Sequence, residues 1–269
     1  MKISTAFNRH NRILLRELVI TDFKLRYQGS VLGYAWSLLK PLFLFVILYV
    51  VFDQFLRFGR DIEHFPVYLL LGVVLWGFFT EATTNGLQSI VARGDLIRKI
   101  NFPKFIIVIS GTISSLINLI INMGVVGIFI VINGVDVSWQ AFWVIPLILE
   151  LYLLSLAIAF FLAAVNVKLR DIGYLWEIFL QAAFYATPIL YPLSMVIERS
   201  ELAARIMMLN PVAQIIQDIR YVLVTPQSVR LYDLVHDWKV AIPFSIIIAL
   251  AITASIFFKR NSKYFAEQI

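Results

Sequence analysis

Long apolar runs are the feature of this sequence that most restricts what it can fold into. They recur between positions 31 and 258. Each is about 20 residues or longer, the length of helix that crosses the ~30 Å hydrocarbon layer of a membrane. Apolar residues make up 60% of the 269 residues and charged residues only 15%, which leaves too little polar surface for a water-soluble domain. The sequence therefore predicts an all-α integral membrane protein.

We predict six transmembrane helices, at Val31–Leu56, Pro66–Val91, Phe105–Ile132, Trp139–Val165, Ile172–Tyr191 and Val240–Phe258. An even number of spans places both termini on the same side of the membrane. Lys and Arg cluster before the first span, between alternate spans and after the last one, and such clusters stay on the cytoplasmic side. We therefore expect a multi-pass protein of the cytoplasmic (inner) membrane with both termini in the cytoplasm. Residues 1–269 are predicted to form one transmembrane domain.

Residues 1–30 are expected to form a cytoplasmic segment that lies in the membrane interface. Leucines at positions 14, 15, 18 and 25 share one side of a helical wheel over Arg12–Tyr27, although Asp22 falls among them. Such a mixture of apolar and basic side chains is typical of a helix that lies in the plane of the interface. We assign Arg16, Arg26 and Tyr27 to this interfacial helix.

The end of the fifth span and the segment 193–239 after it are predicted to be irregular. The span ends in Thr187-Pro188-Ile189-Leu190-Tyr191-Pro192, and two prolines four residues apart cannot lie in one unbroken helix. Helical spacing of apolar residues returns at 202–209 and at 212–224, and Asn210-Pro211 between them is a helix-start signal. Broken backbone at membrane depth needs shelter from protein or a polar cavity. We therefore predict short gate helices here, packed on or dipping into the outer leaflet.

No arrangement of catalytic or metal-binding residues is recognisable in the sequence. The chain contains no cysteine, and its three histidines are spread along it without metal-ligand spacing. A GxxxxGK[ST] phosphate loop is also missing, so this chain is not expected to hydrolyse ATP in that way. We expect no catalytic residue, no metal and no cofactor in this chain. The net charge of +6 is explained by the clusters that orient the spans, so no nucleic-acid partner is expected.

Four charged residues fall inside predicted spans, where charge is costly and usually paired or functional: Lys40, Glu81, Glu150 and Glu177. Lys40 and Glu81 lie at similar depths, about 13 and 15 Å from the cytoplasmic ends of their helices at ~1.5 Å per residue. We therefore predict a buried Lys40–Glu81 ion pair, with Glu177 as the rival partner. Glu150 has no evident partner. A structural interhelix hydrogen bond or contact with water is the open alternative for each.

Aromatic residues concentrate in the second and fifth spans. The candidates for ligand contact are Trp76, Phe79, Trp176, Phe179, Phe184, Tyr185 and Tyr191. Aromatic faces suit the apolar side of a sugar ring, and a tyrosine hydroxyl can bond to a sugar hydroxyl. Packing against lipid or within the core is the alternative interpretation for any one of them.

Between the second and third spans, the stretch ARGDLIRKINFPKF at 92–105 combines clustered charge with apolar residues. Asp95 to Arg98 has a helical pattern, and Phe102 is predicted to be displayed in a water-facing loop. An apolar side chain among charges favours contact with a protein partner more than charges alone do. A plain basic turn that only orients the helices is the alternative.

Four motifs, in this order along the chain, resemble those of the ABC-2 type transport permeases. They are LRYQGSVLGYAWSLLKPL at 25–42, RKINFPKF at 98–105, NVKLRDIGYLWEIFLQAAFYATPILYP at 166–192 and LNPVAQIIQDIRYVL at 209–223. Within that family the sequence looks like the branch that exports polysaccharide chains of the O-antigen, capsule or teichoic-acid type. The resemblance covers nearly the whole chain.

The resemblance implies a membrane subunit that works with a separate ATP-binding subunit, which would hold ATP and Mg²⁺. In this family the turn after the second span is a coupling helix that docks on that subunit. Segment 92–104 corresponds to it, with expected contacts at Asp95, Arg98, Lys99, Ile100 and Phe102. The resemblance also implies a homodimer of permeases with two ATP-binding subunits, set among membrane lipids. Aromatic residues of the first and fifth spans would line the sugar path, which adds Tyr34 and Trp36 to the candidates.

The function predicted from the sequence is export of a lipid-linked polysaccharide across the cytoplasmic membrane. Two alternatives remain at this point. One is an ABC-2 permease for a small drug, antibiotic or lipid, which a greasy lateral portal would favour over an aromatic-lined path. The other is a membrane-embedded transferase acting on lipid-linked sugar, which requires clustered acidic or basic residues at one membrane face.

Overall fold

The structure, a computed structural model, describes residues 9–26, 30–57 and 62–269, and this part of the chain contains helices and no β-strand. The helices are α1 Arg9–Arg26, α2 Trp36–Tyr49, α3 Phe65–Ala92, α4 Gly94–Lys99, α5 Phe105–Ile132, α6 Val144–Asn166, α7 Ile172–Ala186, α8 Leu193–Arg199, α9 Glu201–Met208, α10 Pro211–Leu223, α11 Leu231–Leu234, α12 Ile242–Asn261 and α13 Phe265–Gln268. Short 3₁₀ turns lead into α2, α6 and α12, and a π-helical segment, Val50–Phe55, extends α2.

Among the described residues, five helical segments are long and apolar enough to cross a membrane: Gly33–Phe55, Phe65–Ala92, Phe105–Ile132, Trp139–Asn166 and Asp237–Asn261. The predicted all-α membrane protein is therefore confirmed. The remaining predicted span corresponds to α7, which has only 15 residues. It stops where Thr187 adopts extended backbone, because the residue before a proline is driven out of the helical conformation. The number of six spans stays a prediction.

Helix α3 is the centre of the bundle. In its most apolar 18-residue stretch 78% of the residues are buried, against 11% for the segment that contains α2. It packs against α5 and α6 along much of its length and touches α2, α7 and α10. The contact with α6 is especially close, because a Cβ atom placed on Gly86 would lie 2.3 Å from the Cβ of Ala159. Small residues of this kind let helices associate in lipid, where burial of apolar surface gives little driving force.

A second apolar cluster gathers α1, α4, α12 and α13 around the first turns of α5. Ile97 of α4 and Phe265 of α13 are buried in it. Asp22 of α1 forms an ion pair with Arg93, the residue immediately before α4. Asp22 is the acid that fell among leucines on the helical wheel, and its partner explains its position there. This end of the bundle carries both α1 and α13 and is called the terminal end below.

The predicted N-terminal helix is present as α1, and its Arg16 is exposed. The side chain of Arg26 and the whole of Tyr27 lie outside the described residues. The position of α1 in the membrane interface stays a prediction.

The two helices predicted after the fifth span are present as α9 and α10. Asn210 caps α10, since its side chain accepts a hydrogen bond from the backbone N–H of Val212 at 3.0 Å, and Pro211 occupies the first turn. Backbone N–H groups in the first turn of a helix lack intrahelical partners. The Asn cap bonds to one of them, and proline in the first turn has no N–H to leave unpaired. Every residue of α10 from Pro211 to Arg220 is buried, and the helix packs against α3, α6 and α12. Its position relative to the outer leaflet stays a prediction.

We expect Gly86→Ala to lower the thermal unfolding midpoint of the detergent-purified chain, followed by tryptophan fluorescence. The added methyl group forces α3 and α6 apart at Ala159, and overpacking of this kind costs about 1–3 kcal/mol. Gly77→Ala is the matched control on the same helix, because no atom lies within 4 Å of a Cβ placed there. Equal effects of the two changes would contradict this account of the α3–α6 contact.

Candidate functional site

A cavity of about 1560 Å³ lies among α2, α3, α5 and α7. Its wall contains polar and aromatic side chains, and each kind comes from several helices. The polar ones include Lys40, Glu81, Asn118, Asn122, Arg170 and Glu177, and the aromatic ones Trp36, Trp76, Trp176, Phe184 and Tyr185. The cavity therefore offers hydrogen-bonding groups and apolar ring faces to the same occupant.

The polar wall is organised by asparagines of α5. Asn118 donates a hydrogen bond from Nδ2 to Oε2 of Glu81 at 2.6 Å. Asn122 donates to the backbone oxygens of Asn118 at 2.9 Å and of Ser37 at 3.2 Å, which connects α5 to the beginning of α2. These bonds fix the helices that form the wall and leave carboxylate and amide groups at its surface.

The predicted Lys40–Glu81 ion pair is not formed. Lys40, Glu81 and Glu177 all line the cavity, but within the described residues no ion pair at 4.0 Å or less joins Lys40 to either acid. The side chain of Lys40 is exposed. A charge at membrane depth is tolerated when it faces a polar, water-accessible cavity. The sequence placed these residues correctly at one site and paired them wrongly.

Trp76, Trp176 and Phe184 of the cavity wall belong to a continuous aromatic cluster between α3 and α7, which also contains Phe79 and Phe179 behind or beside the lining residues. Ring centroids are 5.5 Å apart for Trp76 and Phe79, 5.9 Å for Trp76 and Phe184, and 6.4 Å for Phe79 and Trp176. Phe179 stacks on Trp176 at 5.0 Å. The indole N–H of Trp176 donates to Oγ1 of Thr83 at 3.2 Å, so the orientation of this ring is fixed.

Two of the remaining aromatic candidates adjoin this wall. Tyr185 packs edge-on against Phe184 with ring centroids 5.4 Å apart. Tyr191 donates from its hydroxyl to the backbone oxygen of Tyr185 at 2.9 Å. Tyr34 belongs to the 3₁₀ turn before α2 and is half exposed. The structure therefore joins most of the predicted aromatic candidates, whereas their contact with a sugar stays a prediction.

The break after α7 is held by Arg220 of α10. Its guanidinium donates to the backbone oxygens of Pro188 at 2.6 Å and Ile189 at 2.8 Å. It also donates to the backbone oxygen of Tyr68 at 3.1 Å and to Oε1 of Gln217 at 2.9 Å. Carbonyl oxygens at a broken helix end have no intrahelical partner, and this side chain supplies donors to two of them.

The surroundings of Arg220 are shaped to admit it. The residue is fully buried, and the guanidinium carbon lies 3.5 Å from the ring centre of Tyr68. A Cβ atom on Gly72 would lie 2.4 Å from Nη2 of Arg220, so a residue without a side chain is required there. A planar guanidinium is suited to both a ring face and a fork of acceptors. Arg220 thus fastens α10 to α3 and to the end of α7.

Segment 92–104 presents charges but buries its aromatic residue. Asp95, Arg98, Lys99 and Ile100 are exposed, Ile100 by 48%. Phe102 is only 5% exposed and packs in the apolar cluster at the terminal end, so the prediction that it is displayed to water is wrong. It shares this cluster with Ile107 of α5, Phe258 of α12 and Phe265 of α13. Ile100 is the apolar side chain that the loop does expose.

Sequence analysis missed Arg220, Gln214 and Asp218 because their segment was expected to be partly exposed. A signal was present, since Arg220 follows Val212 and Ile216 at intervals of four and so falls on the apolar face of α10. A cation on such a face requires buried acceptors. Glu150, which had no evident partner, lies near Asp218 rather than near the cavity.

The fold and the cavity agree with the comparison to known families. The family model of the ABC-2 type transporter matches residues 13–224, which is well over half of the chain. The chain therefore belongs to the ABC-2 type transporter family, and the resemblance of its four motifs is confirmed.

Three similar proteins have the same name, O-antigen export system permease protein RfbA. The chain is 29% identical over 264 residues to the O-antigen export system permease protein RfbA of Myxococcus xanthus, covering 96% of both chains. It is 31% and 30% identical over 202 residues to two proteins of that name from Klebsiella pneumoniae, covering 74% of this chain and 76% of each relative.

Replacing Arg220 by Met is expected to destabilise the chain strongly. The backbone oxygens of Tyr68, Pro188 and Ile189 lose their donor, and each buried acceptor left without one costs about 1–3 kcal/mol. Thermal unfolding in detergent, followed by tryptophan fluorescence, measures the effect. The unfolding midpoint of Arg220→Lys should lie between those of the wild type and Arg220→Met, because an ammonium group lacks the planar fork of donors.

The control for this prediction is Arg205→Met. Arg205 forms an exposed ion pair with Glu201 four residues earlier, and such pairs contribute about 0–1 kcal/mol. If Arg220→Met and Arg205→Met shifted the midpoint equally, the anchoring role of Arg220 would be wrong.

Proposed function

We propose that this chain is the membrane subunit of an ATP-driven exporter that carries a lipid-linked polysaccharide of the O-antigen type across the cytoplasmic membrane. The observation that carries the proposal is the cavity, whose lining combines aromatic rings with charged and amide side chains. Sugar rings have apolar faces and hydroxyl edges, so they match both surfaces. Membership of the family and the names of the three relatives, O-antigen export system permeases, support the same assignment.

The polarity of the cavity favours a glycan over the alternative of a small drug or a lipid. Lys40, Arg170 and Glu177 line it together with several amide side chains. An apolar substrate would leave these groups without partners, whereas a hydroxylated chain can exchange hydrogen bonds with them as it moves. The aromatic faces bind without demanding one particular hydroxyl pattern, which suits a repeating chain.

The working unit we propose is a homodimer of this chain with two copies of an ATP-binding subunit that holds ATP and Mg²⁺. Helices α2 and α7 flank the cavity and bury little of their surface within one chain. Apolar residues on both are exposed, among them Phe43, Ile47, Leu175 and Ile178. A second copy would cover part of these faces and close the open side of the cavity into a path, as isologous contacts in symmetric dimers do.

Segment 92–104 is the proposed contact with the ATP-binding subunit. Its exposed Asp95, Arg98, Lys99 and Ile100 form a compact surface at the terminal end. This surface is rigidly seated, since the Asp22–Arg93 ion pair joins it to α1 and Ile269 packs against Gly94. Movement of the ATP-binding subunit would pull on α4 and, through the adjoining α3, on the wall of the cavity. In this assignment the cytoplasm lies at the terminal end.

Lys99→Glu is expected to weaken the complex with an ATP-binding subunit encoded by the same organism. We expect about a tenfold loss of affinity or more, because reversing a charge at an interface puts like charges together. Affinity purification followed by the ATP hydrolysis rate of the complex measures the effect. Lys168→Glu makes the same charge change at an exposed position of the same end and is expected to leave the complex intact.

Absence of any complex with the wild-type chain would count against the transporter assignment as a whole. A stable complex that tolerates Lys99→Glu and Arg98→Glu as well as it tolerates Lys168→Glu would move the contact away from segment 92–104.

Trp176→Ala is expected to reduce polysaccharide export while the complex still forms and hydrolyses ATP. One aromatic contact contributes roughly 0.5–1.5 kcal/mol, which corresponds to about a two- to tenfold lower rate. Surface polysaccharide in a strain that depends on the variant measures export, and Trp176→Phe should restore part of it. Trp238→Ala serves as the control because Trp238 is exposed and outside the cavity. Equal losses for Trp176→Ala and Trp238→Ala would contradict the proposed path.

A further inference from the structure

At the contact between α6 and α10, three enclosed oxygen atoms accept no hydrogen bond from the residues that the structure describes. They are Oε1 of Glu150, Oε1 of Gln214 and Oδ1 of Asp218. Gln214 is fully buried, Asp218 is 9% exposed and Glu150 is half-buried. Buried acceptors are almost always bonded in folded proteins, so this contact needs a further hydrogen-bond donor.

Gln214 lies between the two carboxyl groups. Its Nε2 donates to Oδ2 of Asp218 at 2.6 Å, and the same amide is close to the carboxyl group of Glu150. Glu150 and Asp218 are near enough to repel each other when both are ionised. Two carboxylates that share a site cannot both remain charged in a buried environment.

The charged residues around the site do not neutralise it. Arg230 and Asp233, at the start of α11, act on Asp218 with opposite sign and are paired with each other at 3.3 Å. Arg220 lies on the same helix, but its donors are directed to backbone oxygens and to Gln217.

The other elements packed on α10 bring no compensating cation. The 3₁₀ turn Trp139–Trp143 has no ionisable side chain, and the basic residues of α12 are in its last turn, at the terminal end. Helix α3 contributes Tyr68 to this region, and the charged pair of α9, Glu201 with Arg205, is closed on itself at 2.6 Å.

We propose that Glu150, Gln214 and Asp218 form a proton-binding site, in which a proton held by one of the two acids fastens α10 to α6. The proton converts one carboxylate into a donor, and that O–H can bond to one of the acceptors left open. No other atom has to enter the site. The proposal concerns the chain itself and does not depend on the substrate assigned above.

A proton fits this site better than a metal ion does. Cations such as Ca²⁺ and Mg²⁺ take about six or more oxygen ligands, and the site offers three open oxygens. In the part of the chain that the structure describes, no group of three or more His, Cys, Asp or Glu could hold a metal ion. A proton needs only one donor atom and one acceptor.

The electrostatics of Asp218 support the same assignment. Burial raises the pKa of Asp218 to about 6 from an ordinary value of 3.8. A carboxyl group whose pKa is higher in the folded state binds more protons there than in the unfolded state between these two values. Stability is therefore lost as the pH rises from about 4 through 6, and no further loss from this group follows above that range.

The location of the site gives the proton a structural consequence. The helix that carries Gln214 and Asp218 also carries Arg220, which holds the break after α7. Loss of the proton leaves two like charges between α6 and α10 and weakens the seat of α10. The break then loses part of its support, so the pH on this side of the bundle is linked to the packing of the gate helices.

The direct test is infrared difference spectroscopy of the purified full-length chain during pH titration. The wild type is expected to show the carbonyl band of a protonated carboxylic acid that persists above pH 5, where exposed acids are ionised. Glu150→Gln and Asp218→Asn should each remove or shift this band. Glu198→Gln changes an exposed acid of α8 and should leave the band as it is. A wild-type spectrum without the band, or a band indifferent to both site variants, overturns the proposal.

Thermal unfolding between pH 4 and 7.5 provides the second measurement. The wild-type midpoint should fall as the pH rises from about 4 through 6. Glu150→Gln should show a smaller pH dependence and be at least as stable as the wild type at pH 7.5, because an amide supplies the missing donor at all pH values. A uniform loss of stability in Glu150→Gln at every pH contradicts a proton site. So does stabilisation of the wild type, but not of Glu150→Gln, by added Na⁺ or Ca²⁺ at constant ionic strength, which would assign the site to a metal cation.

Discussion

The arrangement of the segment from the end of α7 to α10 depends on a buried guanidinium group that has no carboxylate partner among the described residues. Arg220 donates instead to backbone oxygens at 188 and 189, to that of Tyr68 and to Gln217. Irregular backbone within a membrane protein must have its polar groups satisfied by the protein itself. Proline geometry ends α7 at Thr187-Pro188, and Arg220 supplies donors to the carbonyl oxygens of this break. One side chain therefore joins the end of the short α7 to the buried α10.

The cavity and the core use different means to keep helices together. Along α3, close contact at Gly86 and apolar packing against α5 and α6 produce a solid centre. On the cavity side the helices are joined by amide hydrogen bonds, such as the one between Asn118 and Glu81, which tolerate water. A wall of this kind can stay open and polar without separating the helices that form it. The chain therefore combines a closely packed axis with a polar cavity wall.

Local signals in the sequence predicted local structure well. Asn210-Pro211 began a helix and Thr187-Pro188 ended one, because capping and proline geometry act within a few residues. The long apolar runs also located the five segments that can cross a membrane, because the length of such a run is itself a local signal. What failed was tertiary. Phe102 was predicted to be exposed because nothing near it in sequence shows that it would pack with residues of α5 and α12. The partner of Asp22 could not be predicted either, because Arg93 lies 71 residues away. The Lys40–Glu81 pair was wrong because equal depth does not fix which way two side chains point.

The order of the acceptors around Arg220 has a consequence for how the chain is made. Tyr68, Pro188 and Ile189, like Glu150 in α6, are all synthesised before α10 leaves the ribosome. A segment that carries Gln214, Gln217, Asp218 and Arg220 is too polar to enter hydrocarbon unaided, since each charged residue opposes insertion by about 2.5–3.5 kcal/mol. Helix α10 can thus dock on a surface that the earlier segments have already formed. Membrane insertion of this region is then a docking step directed by protein, with lipid partitioning left to the spans on either side.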